Sequence, residues 1–496
     1  MKKTSVLILG IILMASILQA QKRFDFNPEC VQAYQEISKL KMKSGKLLVE
    51  KLIQQQPNNL APLLIKDYID FYTLFLNEDP AYYDAHFPDF QERLEWIQSG
   101  PKDSPFYLYG QALIRIHRAG VSIKFGHFWD AGWDFRKAYM LLKENKKVFP
   151  QFTPNELLFG AVNAVVGTVP KGYKWLTNLL GIHGSLSEGM HMVRQFAYSN
   201  DPWAKMFFTD AAFIYPYLQY HIENKKEEAL QFISQRKLDV VNNHLLAFMA
   251  SNLYLNYKNI EETKTIILSR NKSDDYLPLS IWDFEMGYIK LYHLETNEAL
   301  SFFEQFTSQF KGKFYVKDVY QKISWCYYLQ NNYAAADNAR KQVIKKGSTD
   351  SDADKKALKD AKAMYWPNPL LLKARLLNDG GYHTDAYKLL SGKTDDDFPK
   401  EEEKLEFAYR VARILDDLNK PDDAIRNYLI AIKIGETRKE YYAARAAIQI
   451  AMIYENRNQK KLAISYYQKC LNMDDHEYKN SLDQRAKAGI ERCKGE

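Results

Sequence analysis

Cysteine is scarce in this chain: four residues in 496, Cys30, Cys326, Cys470 and Cys493, with no Cys-x-x-Cys pair. That scarcity and scatter exclude a disulfide-framed small fold and leave a zinc ribbon or thioredoxin-like centre without ligands. Glycine and proline are modest at 22 and 17 residues, which excludes collagen-like and low-complexity chains. Neither sign of charge dominates, with 68 Lys and Arg against 61 Asp and Glu. No basic stripe is gathered in one place, so nucleic acid is not an expected partner. Aromatic residues are abundant, 34 Tyr and 27 Phe, and a chain so rich in them buries ample surface and is not disordered.

Long apolar runs are also missing. The stretch from Val6 to Leu18 has 13 residues, short of the roughly 20 that cross a bilayer as a helix. It follows Lys2 and Lys3 and ends at Gln19-Ala20, the basic start, short apolar centre and small residue of a secretory signal peptide over residues 1–20. Cys30 lies ten residues past that cut, too far for a lipoprotein anchor. The expected location is therefore outside the cytoplasm, periplasmic and possible at the outer membrane. The exported chain would carry a net charge near +5, because Lys2 and Lys3 leave with the leader and the whole chain carries +7.

Beyond the leader, apolar residues recur at spacings of three and four, and strand-like alternation is almost absent. One short pattern returns: a polar or Gly turn, two or three polar or aromatic residues, a small residue, then an apolar one. It surrounds Ala131, Ala229, Thr263, Ala299, Ala336, Ala386, Ala424 and Ala463, and from Ala229 onward the steps are 34, 36, 37, 50, 38 and 39 residues. An aromatic often follows four residues on and a second small residue seven on, as in Ala424, Tyr428 and Ala431 or Ala463, Tyr467 and Cys470. Twelve residues before, the preceding helix also places a small residue: Gly287, Ser324, Ala374, Ala412 and Ala451. Small residues at these positions let two antiparallel helices approach closely, and an isolated hairpin must stack on neighbours to bury its faces.

These segments, over about residues 104–145 and 205–493, resemble tetratricopeptide (TPR) repeats, of an exported bacterial, Bacteroidetes-like type. The resemblance implies an all-α protein, an α-solenoid of TPR-like hairpins wound into a right-handed superhelix, with an N-terminal helical cap. It departs from the pattern in repeat length, in Thr263 and in the missing inter-repeat Pro. The expected organisation is an N-terminal helical domain at 21–103, a TPR-like hairpin plus an apolar Gly-rich hairpin at 104–204, and repeats at 205–346. A polar insertion at 347–366 follows, read as a solvated loop and short helix. Further repeats at 367–477 and a capping helix at 478–496 complete the chain. Residues 155–190, with Pro170, Trp175, Gly181 and Gly184, weakly resemble the eukaryotic inclusion-body-clearance TPR proteins, which are scaffolds without an established catalytic site.

Carried over from TPR arrays, the concave groove would be lined by Phe284, Tyr288, Trp325, Tyr328, Arg375, Glu406, Tyr409, Arg413 and Asp416. Several of these aromatics could equally be inter-repeat core. The groove implies a protein partner, a peptide or helix with an apolar anchor and acidic groups. Cys470 and Cys493 would fall on neighbouring helices, either bridged in an oxidising compartment or left as two buried thiols.

Catalytic patterns are absent from the sequence. No His-Glu-x-x-His, Walker A or Gly-x-Gly-x-x-Gly motif occurs, and Gly184-Ser185-Leu186-Ser187-Glu188-Gly189 misses the spacing of a Gly-x-Ser-x-Gly elbow. The expectation is a non-catalytic scaffold with no metal and no cofactor; a pocket uniting His117, His127 and acids would argue for an enzyme. A second reading gives residues 155–184 a membrane-surface or lipid-binding role, with Lys171, Tyr173, Lys174 and Trp175 as interfacial anchors. Against it stands the reading of that segment as a tightly packed hairpin, apolar all round from Leu157 to Val166.

Overall fold

The computed structural model describes residues 21–168 and 181–494, and those residues fold as successive packed helices. The first five are α1 (Pro28–Ser38), α2 (Met42–Gln55), α3 (Ala61–Asn77), α4 (Pro80–His86) and α5 (Asp89–Gln98). The first repeat-like hairpin is α6 (Pro105–Lys124) with α7 (Phe128–Val148), followed by the apolar pair α8 (Pro154–Gly167) and α9 (Leu186–Ala197). Short α10 (Pro202–Met206) leads to three hairpins: α11 (Phe208–His221) with α12 (Lys226–Gln235), α13 (His244–Asn256) with α14 (Ile260–Ser269), and α15 (Ile281–Tyr292) with α16 (Thr296–Gln309). Next comes the pair α17 (Val316–Leu329) and α18 (Tyr333–Lys345), then the inserted α19 (Asp352–Ala363). The array closes with α20 (Pro369–Asp379), α21 (His383–Leu390), α22 (Glu401–Asp417), α23 (Pro421–Gly435), α24 (Tyr442–Asn456), α25 (Lys460–Leu471) and α26 (Lys479–Lys494). This is an all-α solenoid of TPR-like hairpins. The leader and Pro170, Lys171, Tyr173, Lys174 and Trp175 lie outside the described residues.

The hairpin logic rests on the small residues. All eight positions from Ala131 to Ala463 are buried, and a Cβ added at Gly287 would stand 2.5 Å from the ring of Phe303 on the facing helix. Thr263 is accommodated because its hydroxyl donates to the Asn259 carbonyl at 3.0 Å, one turn back in its own helix. Five residues before each small residue the backbone turns left-handed, at Gly126, Asn224, Lys258, Leu294, Asn331, Gly381, Asn419 and Asn458, with φ between 57° and 86°. The two helices of a hairpin therefore meet through one repeated turn conformation, which Gly and Asn adopt at least cost. At Gly381 no other residue fits, since a Cβ would lie 2.2 Å from the Lys258 carbonyl oxygen.

The N-terminal helices are part of the array's core. One continuous apolar cluster joins Cys30, Tyr34 and Tyr68 to Phe207, Leu246 and Ile289. Backbone hydrogen bonds tie the α1–α2 corner to the loop before α15: the Leu277 amide donates to the Leu40 carbonyl at 2.8 Å, and the Met42 amide to the Asp275 carbonyl at 2.8 Å. Glu78 accepts from the amides of Lys313 and Phe314 and from Lys124.

Helix α8 is core. Leu157, Leu158, Phe159, Val162 and Val166 are buried, and α9 lies so close that a Cβ at Gly189 would stand 2.4 Å from the Ala164 nitrogen. Residues 155–167 thus follow the packed reading of this segment, with most of their apolar surface spent on protein and Val165 left exposed. The polar insertion also differs from expectation. The expected short helix is present as α19, but it is not solvated all round: it docks on α17, with Asp354, Ala357 and Ala361 buried. Asp354 accepts the amides of Tyr315 at 2.7 Å and Asp318 at 3.1 Å, so a side chain from the insertion caps the start of α17.

Candidate functional site

With α19 folded back, the inner face of the array becomes a partly enclosed pocket of about 340 Å³. Its floor is Trp325 from α17 and Arg375 from α20; its roof is Lys356, Asp360, Tyr365 and Trp366 from the insertion. Glu402 and Glu406 of α22 form one wall, and Tyr441 and Tyr442 another. Chain-distant contacts hold the roof in place. Lys359 pairs with Glu477 at 2.6 Å, and its ammonium stands 5.0 Å over the Tyr478 ring. Tyr328 stacks on Trp366 at 4.7 Å and donates its hydroxyl to the Pro367 carbonyl at 2.9 Å.

The electrostatics of the pocket are balanced. Trp325 has Lys322 at 4.3 Å and Arg375 at 5.2 Å from its ring. Gln321 donates to Asp360 at 3.0 Å, and Lys356 pairs with the same carboxylate at 2.8 Å. Burial holds the Lys356 ammonium below the ordinary lysine range, Asp360 opposing and Arg375 reinforcing the shift. Partial desolvation in the recess raises the Tyr365 hydroxyl, helped by Glu406 and Asp360. Aromatic faces, two signs of charge and an amide thus meet in one recess, suited to a ligand with an apolar anchor and polar groups of both signs.

Of the expected groove residues, Trp325, Arg375 and Glu406 come together here, and Tyr328 supports them through Trp366. Phe284 and Tyr288 do not: they pack with Phe303 and Phe306 in the inter-repeat core, and the Tyr288 hydroxyl donates to Asp318. Tyr409 is buried between Tyr428 and Tyr442. Their rings pack within their own hairpin and against the segment that follows it. Arg413 stands 3.5 Å from Asp417, and Asp416 accepts from Tyr428 at 3.1 Å, away from this pocket. Tyr365, Trp366 and Lys356 were not anticipated. The aromatic pair directly after a polar run, Tyr365-Trp366-Pro367, was the available signal.

In the structure Cys470 and Cys493 are free thiols buried in the same C-terminal core, and burial pushes the Cys470 thiol up to about 12.

His117 and His127 do not share a pocket among the described residues. His117 is buried, its Nδ1 2.6 Å from Asp67, and Arg93 binds Asp67 and Asp70 at 2.8 and 2.6 Å. That cluster is a buried ionic network inside the N-terminal helices, in which Arg93 Nη2 has no hydrogen-bond partner. His127 lies at the surface beside Tyr83. Asp70, His86 and Asp89 bring ligand atoms within 4.8 Å of one another, but Asp70 is already held by Arg93 and by the Tyr82 hydroxyl, so its charge is spent.

The fold and site define a helical-repeat protein with a concave recess. No protein-family model matches the chain, and no curated protein matches it. Among solved structures it is similar to the TPR domain of P58(IPK), with 14% identity, 87% of this chain and 97% of that one covered, and a TM-score of 0.23. It is also similar to the Cut9–Hcn1 hetero-tetramer of the APC/C, with 12% identity, coverage of 93% and 95%, and a TM-score of 0.28. For yeast Tom70 the values are 13% identity, 95% and 97% coverage, and a TM-score of 0.25. At likenesses this loose, the repeat architecture is defined by the hairpins themselves.

Proposed function

We propose that this protein is an exported, non-catalytic scaffold that holds a segment of a protein partner in the recess between α17, α19, α22 and α24. The observation that carries this is the recess itself. An insertion breaks the repeat spacing only to roof the concave face, and it brings Tyr365 and Trp366 over Trp325 and Arg375. Aromatic and Arg side chains supply most binding energy at protein interfaces. The leader at residues 1–20 supports a periplasmic setting, and the envelope or outer membrane is where a partner would be sought. The test is affinity capture of the tagged full chain from crosslinked native envelopes, comparing the wild type with Tyr365→Ala/Glu402→Lys. Both side chains sit at the rim, Tyr365 being 48% exposed and the Glu402 side chain 43%, so the variant keeps its fold. A partner that crosslinks to the recess and is lost from the variant supports the reading. Partners indifferent to it defeat the reading.

A further inference from the structure

A second surface is independent of the recess. The α6–α7 hairpin turns at Gly126, and around that turn Ile123, Phe128, Trp129 and Trp133 are 44%, 53%, 67% and 56% exposed. Trp129 and Trp133 are four residues apart on the outward face of α7, and Lys137 continues the same row one turn later, also exposed. The opposite face of the helix, Ala131, Asp134 and Ala138, is buried. A water-soluble surface seldom leaves two indoles and a Phe bare in two helical turns, since aromatic rings are among the largest apolar groups a fold can bury. The tip is firmly built: Tyr83 stacks on Phe125 at 4.0 Å, and Arg115 and Arg118 both grip Asp134 beneath it.

Beside the indoles lies an open depression lined by Arg115, Arg118, Arg136 and Lys137 against the carboxylates of Asp130 and Asp134. Cations outnumber acids there by two. We infer that this hairpin tip is a membrane-contacting surface, seating Trp129, Trp133 and Phe128 in the interfacial layer of an anionic phospholipid membrane with Lys137 toward the phosphates. Tryptophan favours that layer because its ring is apolar and its N–H wants a wet partner, and flanking cations add attraction to anionic headgroups. Most of the described part of α8 is buried, whereas the aromatics of this tip are exposed.

The experiment is vesicle sedimentation of the full exported chain, with phosphatidylglycerol–phosphatidylcholine vesicles and with phosphatidylcholine alone, followed also by tryptophan emission. The wild type is expected to sediment with the anionic vesicles and its emission to shift to the blue. Trp129→Ser/Trp133→Ser should weaken sedimentation at least tenfold and Lys137→Glu by a smaller factor, with melting temperatures unchanged because these side chains are exposed. Tyr365→Ala/Glu402→Lys should sediment like the wild type, which separates this surface from the recess. A wild type that stays in solution with anionic vesicles overturns the inference, as does equal binding by the double variant. A wild-type dimer that the double variant converts to monomer, without vesicle binding, also overturns it and assigns the tip to a second copy.

Discussion

Glu285 sits inside α15 with no exposed surface, and neither carboxylate oxygen has a hydrogen-bond partner. Ser251 and Asn252 stand beside it without bonding geometry, and Arg270 is the cation that acts on it. Burial outweighs these neighbours and pushes its carboxyl up from 4.5 to about 8, so the folded chain holds this proton at neutral pH. The sign follows from linkage. Between pH 4.5 and about 8 the unfolded chain has released the proton and the folded chain has not. Stability contributed at this site is therefore full in acid and falls as pH rises, by about 1.4 kcal/mol per pH unit across that window. Glu285→Gln keeps the shape and removes the titration. Urea unfolding at pH 5 and pH 8 should show the variant more stable than the wild type at pH 8, with the difference shrinking toward pH 5. Parallel pH dependence in the two proteins would show that Glu285 finds a partner on ionisation.

At the scale of the element, α19 shows how a polar segment becomes structural. Its buried face is Asp354, Ala357 and Ala361, which carries the helical spacing of a packed stripe with almost no apolar bulk. The weight falls on Asp354, whose carboxylate accepts two amides at the start of α17 and the Ser351 hydroxyl at 2.6 Å. Asp354→Ala should cost about 1–2 kcal/mol, the usual loss of a helix cap, and should loosen α19 more than the rest of the chain. Hydrogen exchange over residues 352–363 is the measurement, and unchanged protection there would mean that Ala357 and Ala361 suffice as anchors. The same helix marks the limit of what the sequence discloses. The hairpins were legible because small residues and turn residues repeat in step, from Ala229 with Asn224 to Ala463 with Asn458. Trp325, Arg375 and Glu406 were legible through that register. Tyr365 and Trp366 were not, because their place depends on a long-range cap by one aspartate, which no periodicity carries. Phe284, Tyr288 and Tyr409 illustrate a related ambiguity: an aromatic on an inner helix serves a groove or the next repeat equally well in sequence, and packing decides.

For the whole molecule, the distribution of cores determines which parts stand alone. Helices α1–α5 share one cluster with residues as far along as Trp282 and Ile289, and their corner is stitched to the loop before α15 by backbone bonds. The C-terminal helices have a core of their own, from Leu405 and Tyr428 to Tyr467, Leu482 and Cys493. Adjacent to it, Leu371, Ala386 and Phe398 form a smaller cluster on α20–α22. Repeat arrays gain stability from each repeat and from nearest-neighbour interfaces, so a run of hairpins with its own cap should survive excision. Removing a cover that shares a core should not be survived, because it bares large rings such as Phe106, Tyr109 and Phe207. Leu372 and Leu376 of α20 belong to the preceding cluster with Val319 and Trp325, so the separable unit is residues 399–494, which hold the C-terminal core entire and are expected to express as a soluble helical fragment with a cooperative thermal melt. Residues 104–494, although longer and containing every hairpin, should aggregate or melt without cooperativity. Circular dichroism melts of the two fragments decide the matter. A cooperative transition in residues 104–494 would make the N-terminal helices an appended cap, and its absence makes them part of the array whose first hairpins they cover.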